Sequence, residues 1–171
     1  MLGKLIGLNL VESFLDNVVF DKVKPNIGSV VYSDFILSGS LIQHSGIYVG
    51  EGQIVHLKGT GKVEKTTIKG FREESAGSLS ALGMTVYISC DRTNAVGLEV
   101  IADYALSEVG KKYEYNIGKF NCHQFTSGCV RGWIEPPETM EAPDRVFSTL
   151  TGLKLMCREQ IGSNNWRALE E

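Results

Sequence analysis

Gln43-His44-Ser45-Gly46-Ile47-Tyr48-Val49-Gly50-Glu51-Gly52-Gln53-Ile54-Val55-His56-Leu57 is the stretch whose reading decides the fold. Residues 43–50 and 53–58 read as two strands, and the Gly-Glu-Gly between them is a hairpin signal. Opposed residues in an antiparallel pair have position numbers with a constant sum, so the turn decides whether His44 and His56 share a face. A two-residue turn at Glu51-Gly52 gives an odd sum and separates them. A three-residue loop Gly50-Glu51-Gly52, with Gly52 in the left-handed bulge position, gives an even sum. The three-residue loop is the expected one. It sets His56 opposite Gly46 and diagonal to His44, about 7–8 Å away and within reach of two rings. Gly46 is expected to leave open space over the sheet, and it is counted with Tyr48 as supporting a site there.

A second chemical segment lies downstream, Asn121-Cys122-His123-Gln124-Phe125. With Asn121 as N-cap, Cys122 falls in the first helical turn, where unpaired N–H groups and the dipole favour a thiolate. The expectation is a lowered cysteine pKa and a nucleophilic sulfur, with the Cys122 backbone N–H available to a developing oxyanion. His123 is expected to point away from Cys122, because adjacent helical residues do not face each other. Cys90, Cys129 and Cys157 read as buried structural thiols.

Around these segments the chain alternates short strands and helices. An apolar N-terminal segment (Leu2, Leu5, Ile6, Leu10, Phe14) suits a helix packed on the core. Ser29–Tyr32 reads as a short strand, Asp34–Ser40 as a loop or turn, Val63–Ile68 as a strand within a polar, Gly/Ser-rich stretch 59–82, and Thr85–Cys90 as a strand. Thr93 or Asn94 should cap a helix to about Val109, closed near Gly110. Tyr113–Ile117 reads as extended, the helix from Asn121 as running to about Trp133, and Asp144–Glu159 as a last helix. The order predicts an α+β fold, a small antiparallel sheet with helices packed on it.

The 171 residues fit one domain, 1–171, with a catalytic core at about 25–135 and helical extensions at either end. An apolar fraction of 43% and a charged fraction of 22% mark a globular chain. A net charge of −3 with no basic, aromatic-interleaved run excludes a nucleic-acid footprint. The four cysteines show no CxxC spacing. The segment from Met1 lacks a signal-peptide pattern, and no stretch approaches the roughly 20 apolar residues of a membrane span. A cytoplasmic chain, peripheral to a membrane if its substrate is lipid, is the expectation.

The two blocks resemble the lecithin retinol acyltransferase-like family, a circularly permuted branch of the NlpC-type, papain-like superfamily. His44 to Leu57 is similar to that family's block of a His, an Ile-Tyr-Val-Gly stretch and a closing His-Leu. Asn121-Cys122-His123-Gln124-Phe125 is similar to its Asn-Cys-Glu-His-Phe. Three departures stand out: Asn26-Ile27-Gly28-Ser29 where a Gly-Asp pair often precedes the first strand, Ser45 where an aromatic commonly follows the first His, and a histidine directly after the cysteine. The chain looks more like bacterial or phage-type members. The resemblance implies Cys122 as nucleophile, His44 as base and His56 as orienting residue. It implies no cofactor, and an acyl-bearing substrate, a phospholipid in the best-known members. An NlpC-type cysteine amidase or peptidase is the alternative within the superfamily. Two other classes stay open: a non-catalytic module on the same fold, and a metal site using His44, His56, Cys122 and His123.

Overall fold

The computed structural model describes residues 22–37, 40–76, 85–141 and 143–171. The expected N-terminal helix lies outside the described residues.

The hairpin around the histidines sets the architecture. β2 (Ser40–Gly50) and β3 (Gln53–Leu57) pair antiparallel, with Gly46 opposite His56, Ile47 opposite Val55 and Tyr48 opposite Ile54. The even register expected at the histidines is present, but another device produces it. The turn is the two-residue Glu51-Gly52, with φ of 52° and 68°, closed by Gly50 opposite Gln53. Two successive left-handed residues make the kind of turn whose twist matches the strands. That turn alone would put the histidines on opposite faces. A bulge between Tyr48 and Gly50 inserts Val49 and returns the register to even before His56 is reached.

The sheet order is β4-β3-β2-β1-β5-β6, with β7 pairing β5. The pairings are antiparallel. β1 (Val30–Leu37) is longer than expected: residues 34–37, expected in a loop or turn, are strand, and Leu37 stands opposite Ser40 of β2. The polar Asp34 is tolerated mid-strand because Gln43, directly opposite, donates its Nε2 to the carboxylate at 3.0 Å. β4 (Val63–Thr67) falls as expected and leads straight into α1 (Ile68–Ala76), a helix that a polar composition did not signal.

β5 (Val86–Asp91) also appears as expected. The next helix does not start at Thr93 or Asn94, because the Asn94–Ala95 backbone pairs with Asp91 and Cys90 as β6. α2 is the shorter Glu99–Ser107, and its N-cap Leu98 offers no side-chain cap. Tyr113–Ile117 forms no named strand; an isolated bridge joins Lys62 to Lys112 just before it, and another joins Asn116 within it to Phe120. α3 (Cys122–Arg131) starts where Asn121 caps it and stops at left-handed Gly132, short of Trp133. The expected last helix is two pieces, a 3-10 turn at Pro143–Ser148 and α4 (Leu150–Ile161). Thr149 caps α4 through Gly152 N–H. The chain then adds β7 (Asn165–Ala168), so the C-terminal part is not purely helical.

Strand alternation gives the sheet two dry faces. Val30, Ile47, Val55 and Leu57 pack against Phe125 and Cys129 of α3 and Leu153, Met156 and Cys157 of α4. Val31, Ile54 and Ile88 pack with Phe71 of α1 on the other face. Among the described residues no helix is long and apolar enough to cross a membrane.

Candidate active site

His44 Nε2 lies 2.7 Å from His56 Nδ1, with the rings edge-to-face at 4.9 Å between centroids. Both are buried, His44 at 8% exposure and His56 at 0%. Phe71 of α1 lies over the His44 ring at 4.9 Å and meets His56 edge-on at 5.6 Å. The expected open space above Gly46 is filled. A Cβ there would stand 2.7 Å from Ile54 Cγ2 and from Val55 O, and 3.2 Å from His56 Cβ. Glycine at 46 is what lets His56 swing in beside His44. Gly46→Ala should therefore cost about 1–3 kcal/mol, as other overpacked substitutions do. A denaturant titration with unchanged stability would contradict that crowding. Tyr48 is engaged elsewhere, accepting Gly52 N–H at 3.2 Å and so bracing the turn.

Cys122 opens α3 on the opposite face of the sheet. Asn121 Oδ1 accepts the N–H of His123 and of Gln124, while its Nδ2 donates to Ile117 O and Ser148 O. This cap takes up the second and third helical N–H groups, and the Cys122 N–H makes no backbone–backbone hydrogen bond among the described residues. The Cys122 thiol donates to Gln43 O at 3.9 Å. Thus the sulfur touches the backbone of the residue preceding His44, and no hydrogen bond joins it to the imidazole.

His123 does not simply point away. Its Nδ1 lies 2.8 Å from Ser45 Oγ, which also contacts Thr126 Oγ1 at 3.1 Å, and Thr126 donates to Cys122 O. Two of the departures from the family pattern, Ser45 and His123, are therefore in contact with each other. Each alone looks unremarkable in the sequence; the adjacency of Ser45 to His44 and of His123 to Cys122 was the available signal.

A cleft of about 510 Å³ opens at the sulfur, lined by Cys122, His123, Tyr115, Ile117, Thr149 and Leu150 among others. Among the described residues, no Asp, Glu, Lys or Arg lines it. The expectation of a lowered cysteine pKa is overturned. Burial pushes the Cys122 thiol up, and hydrogen bonds from Ser45 and the first helical N–H groups pull it back only in part. Burial also holds His44 well below its ordinary value, helped by repulsion from His56 and His123. The same burial takes His56 and His123 to about 4. The resting site is thus a protonated thiol beside neutral imidazoles. Cys90, Cys129 and Cys157 are free, buried and likewise pushed up. Among the described residues no three His, Cys, Asp or Glu side chains converge as metal donors.

These histidines link folding to pH. Unfolded histidine titrates near pH 6.5. The folded values lie lower, so the unfolded chain binds more protons in between. The contribution is whole above pH 6.5 and is lost as pH falls toward 4, on the order of 3 kcal/mol for each of His56 and His123. Thermal melts should show a clearly lower Tm at pH 4.5 than at pH 7; equal values would contradict neutral burial.

A helix-N-terminal cysteine on one side of an antiparallel hairpin, and a hydrogen-bonded histidine pair on the other, define a class of cysteine–histidine proteins. The family model described as lecithin retinol acyltransferase matches residues 24–135, a span running from before β1 through α3, and the chain belongs to that family. Acyltransferase or hydrolase activity is the general character of the family. Among curated proteins the chain finds no match.

Proposed function

We propose that the chain is a thiol-dependent acyl hydrolase or acyltransferase, with Cys122 as nucleophile, His44 as general base and His56 orienting it. The observation that carries this is the 2.7 Å bond between His44 Nε2 and His56 Nδ1. It commits one face of the His44 ring to its partner and leaves Nδ1 for the thiol. This role requires the Cys122 sulfur to leave the Gln43 carbonyl for that nitrogen.

The thiol proton moves to His44 Nδ1 as sulfur bonds the substrate carbonyl carbon, a general-base step suited to a neutral pair. The Cys122 N–H faces the developing oxyanion. The carbonyl re-forms, the bond to the leaving group breaks, and the leaving group takes the proton from His44. Water or an alcohol then attacks the acyl-cysteine by the same steps. A cleft whose described lining carries no Asp, Glu, Lys or Arg and includes Ile117, Tyr115 and Leu150 beside polar Gln43, Ser148 and Thr149 suits an acyl chain beside a polar headgroup, which favours a lipid or other acyl ester over a charged peptide.

One observation favours a second arrangement of the same chemistry. His123, not His44, lines the cleft with Cys122, and Ser45 links the two. In that arrangement His123 is the base, acting through Ser45 Oγ.

The test is acyl release from three substrates: phosphatidylcholine vesicles, p-nitrophenyl butyrate and a peptide amide. Release from an ester substrate, lost in Cys122→Ser, is the expected result. Cleavage of the amide alone moves the assignment to an amidase, and no release from any of them contradicts the enzyme reading.

A further inference from the structure

His56 has a nitrogen that the pairing with His44 does not use. Its Nε2 is fully buried and has no hydrogen-bond partner. A buried polar nitrogen left unpaired is costly, so its surroundings matter. β3 and β4 place Glu64 directly opposite His56, and opposed residues project from the same face. Glu64 Oε1 lies 3.7 Å from His56 Nε2, one side-chain adjustment short of a hydrogen bond. Lys58 Nζ holds Glu64 at 3.2 Å and also reaches Glu74 of α1 at 3.4 Å.

The direction of the His44–His56 bond decides whether His44 can act as a base. If His56 Nδ1 donates, His44 Nε2 accepts, its hydrogen sits on Nδ1, and it cannot take the thiol proton. If His44 Nε2 donates, Nδ1 keeps its lone pair and His56 must carry its hydrogen on Nε2. A carboxylate beside Nε2 favours the second arrangement and disfavours the first.

We propose that Glu64 is a positioning residue that sets this polarity, completing a chain Cys122–His44–His56–Glu64 in which His44 Nδ1 is left as acceptor. The inference rests on His44 being the base. Glu64 takes no proton during the reaction; it touches neither substrate nor sulfur. Its carboxylate stabilises positive charge on the histidine pair when His44 is protonated. Lys58, the cation paired with Glu64, opposes that effect. The other charged or titratable groups around the pair are Glu74 and His123.

The test compares wild type, Glu64→Gln and Lys58→Ala over pH 4 to 8. Acylation of Cys122 is followed with p-nitrophenyl butyrate, and the His56 ring by nitrogen-15 NMR. Glu64→Gln is expected to lower the acylation rate about tenfold at pH 7, without a matching change in KM. Its acid limb should move to lower pH and that of Lys58→Ala to higher pH, because one change removes a negative charge and the other a positive one. His56 should be an Nε2–H tautomer in wild type and a mixture in Glu64→Gln. A purely structural role would not produce opposite shifts. Wild type acylated normally, with Glu64→Gln matching it in rate, acid limb and tautomer, overturns the role of Glu64. Failure of wild type to acylate at all overturns the underlying function instead.

Discussion

Cys122→Ala should leave no measurable acyl transfer, a loss on the order of 10⁴-fold or more, while stability changes by about 1 kcal/mol or less. The two halves of that result have separate causes. The sulfur is the only atom deleted, and no general base can act without a nucleophile. The side chain is small, and the hydrogen bond its thiol donates, to Gln43 O at 3.9 Å, is a weak one. Cys129→Ala should behave in the opposite way. Its thiol is fully buried in the cluster with Phe125 and Leu153, so stability falls and turnover survives. Rate assays with denaturant titrations on both variants separate a reacting cysteine from a packing one. A Cys122→Ala protein that retains turnover would remove the assignment.

The second large effect distinguishes the three histidines. His44→Ala should lower the rate by about 10³-fold, within the range a general base contributes. His56→Ala should cost less, about ten- to a hundredfold, because it acts only through His44. His123→Ala should cost less still if His44 is the base. The reverse order, with His123 the most damaging, would transfer the role to the Ser45–His123 pair. The pH profile is a further part of the same expectation. The base must be neutral to act, and burial holds His44 well below its usual value. The acid limb of kcat/KM should therefore lie below pH 6.5, and a limb above 6.5 would contradict the neutral pair.

Much of this site could be read from fifteen residues of hairpin and five of helix. Period-2 patterning and the Gly-Glu-Gly turn placed both strands, and the even register put the histidines on one face. Asn121 as cap followed from residue type alone. The bulge at Val49 could not be foreseen, since it is the sum of two local choices that the sequence permits separately. Nor could the crowding over Gly46: the same glycine reads as free space or as a required gap until the facing Ile54 is placed. The thiol's raised pKa escaped for a related reason. Helix-terminal N–H groups are visible from position, whereas the desolvation that outweighs them depends on the whole cleft. Tertiary pairing also overrode local signals, taking Asn94–Ala95 from a helix into β6 and ending the chain with β7 on the central sheet.

The central claim is that an acyl group passes through the Cys122 sulfur. Quenching the reaction with p-nitrophenyl butyrate in acid, digesting the chain and locating the added mass by tandem mass spectrometry tests it most directly. The account predicts a butyryl group on the peptide carrying Cys122, lost on hydroxylamine treatment as a thioester is. A butyryl group on Ser45, or on another residue with Cys122 unmodified, would contradict it.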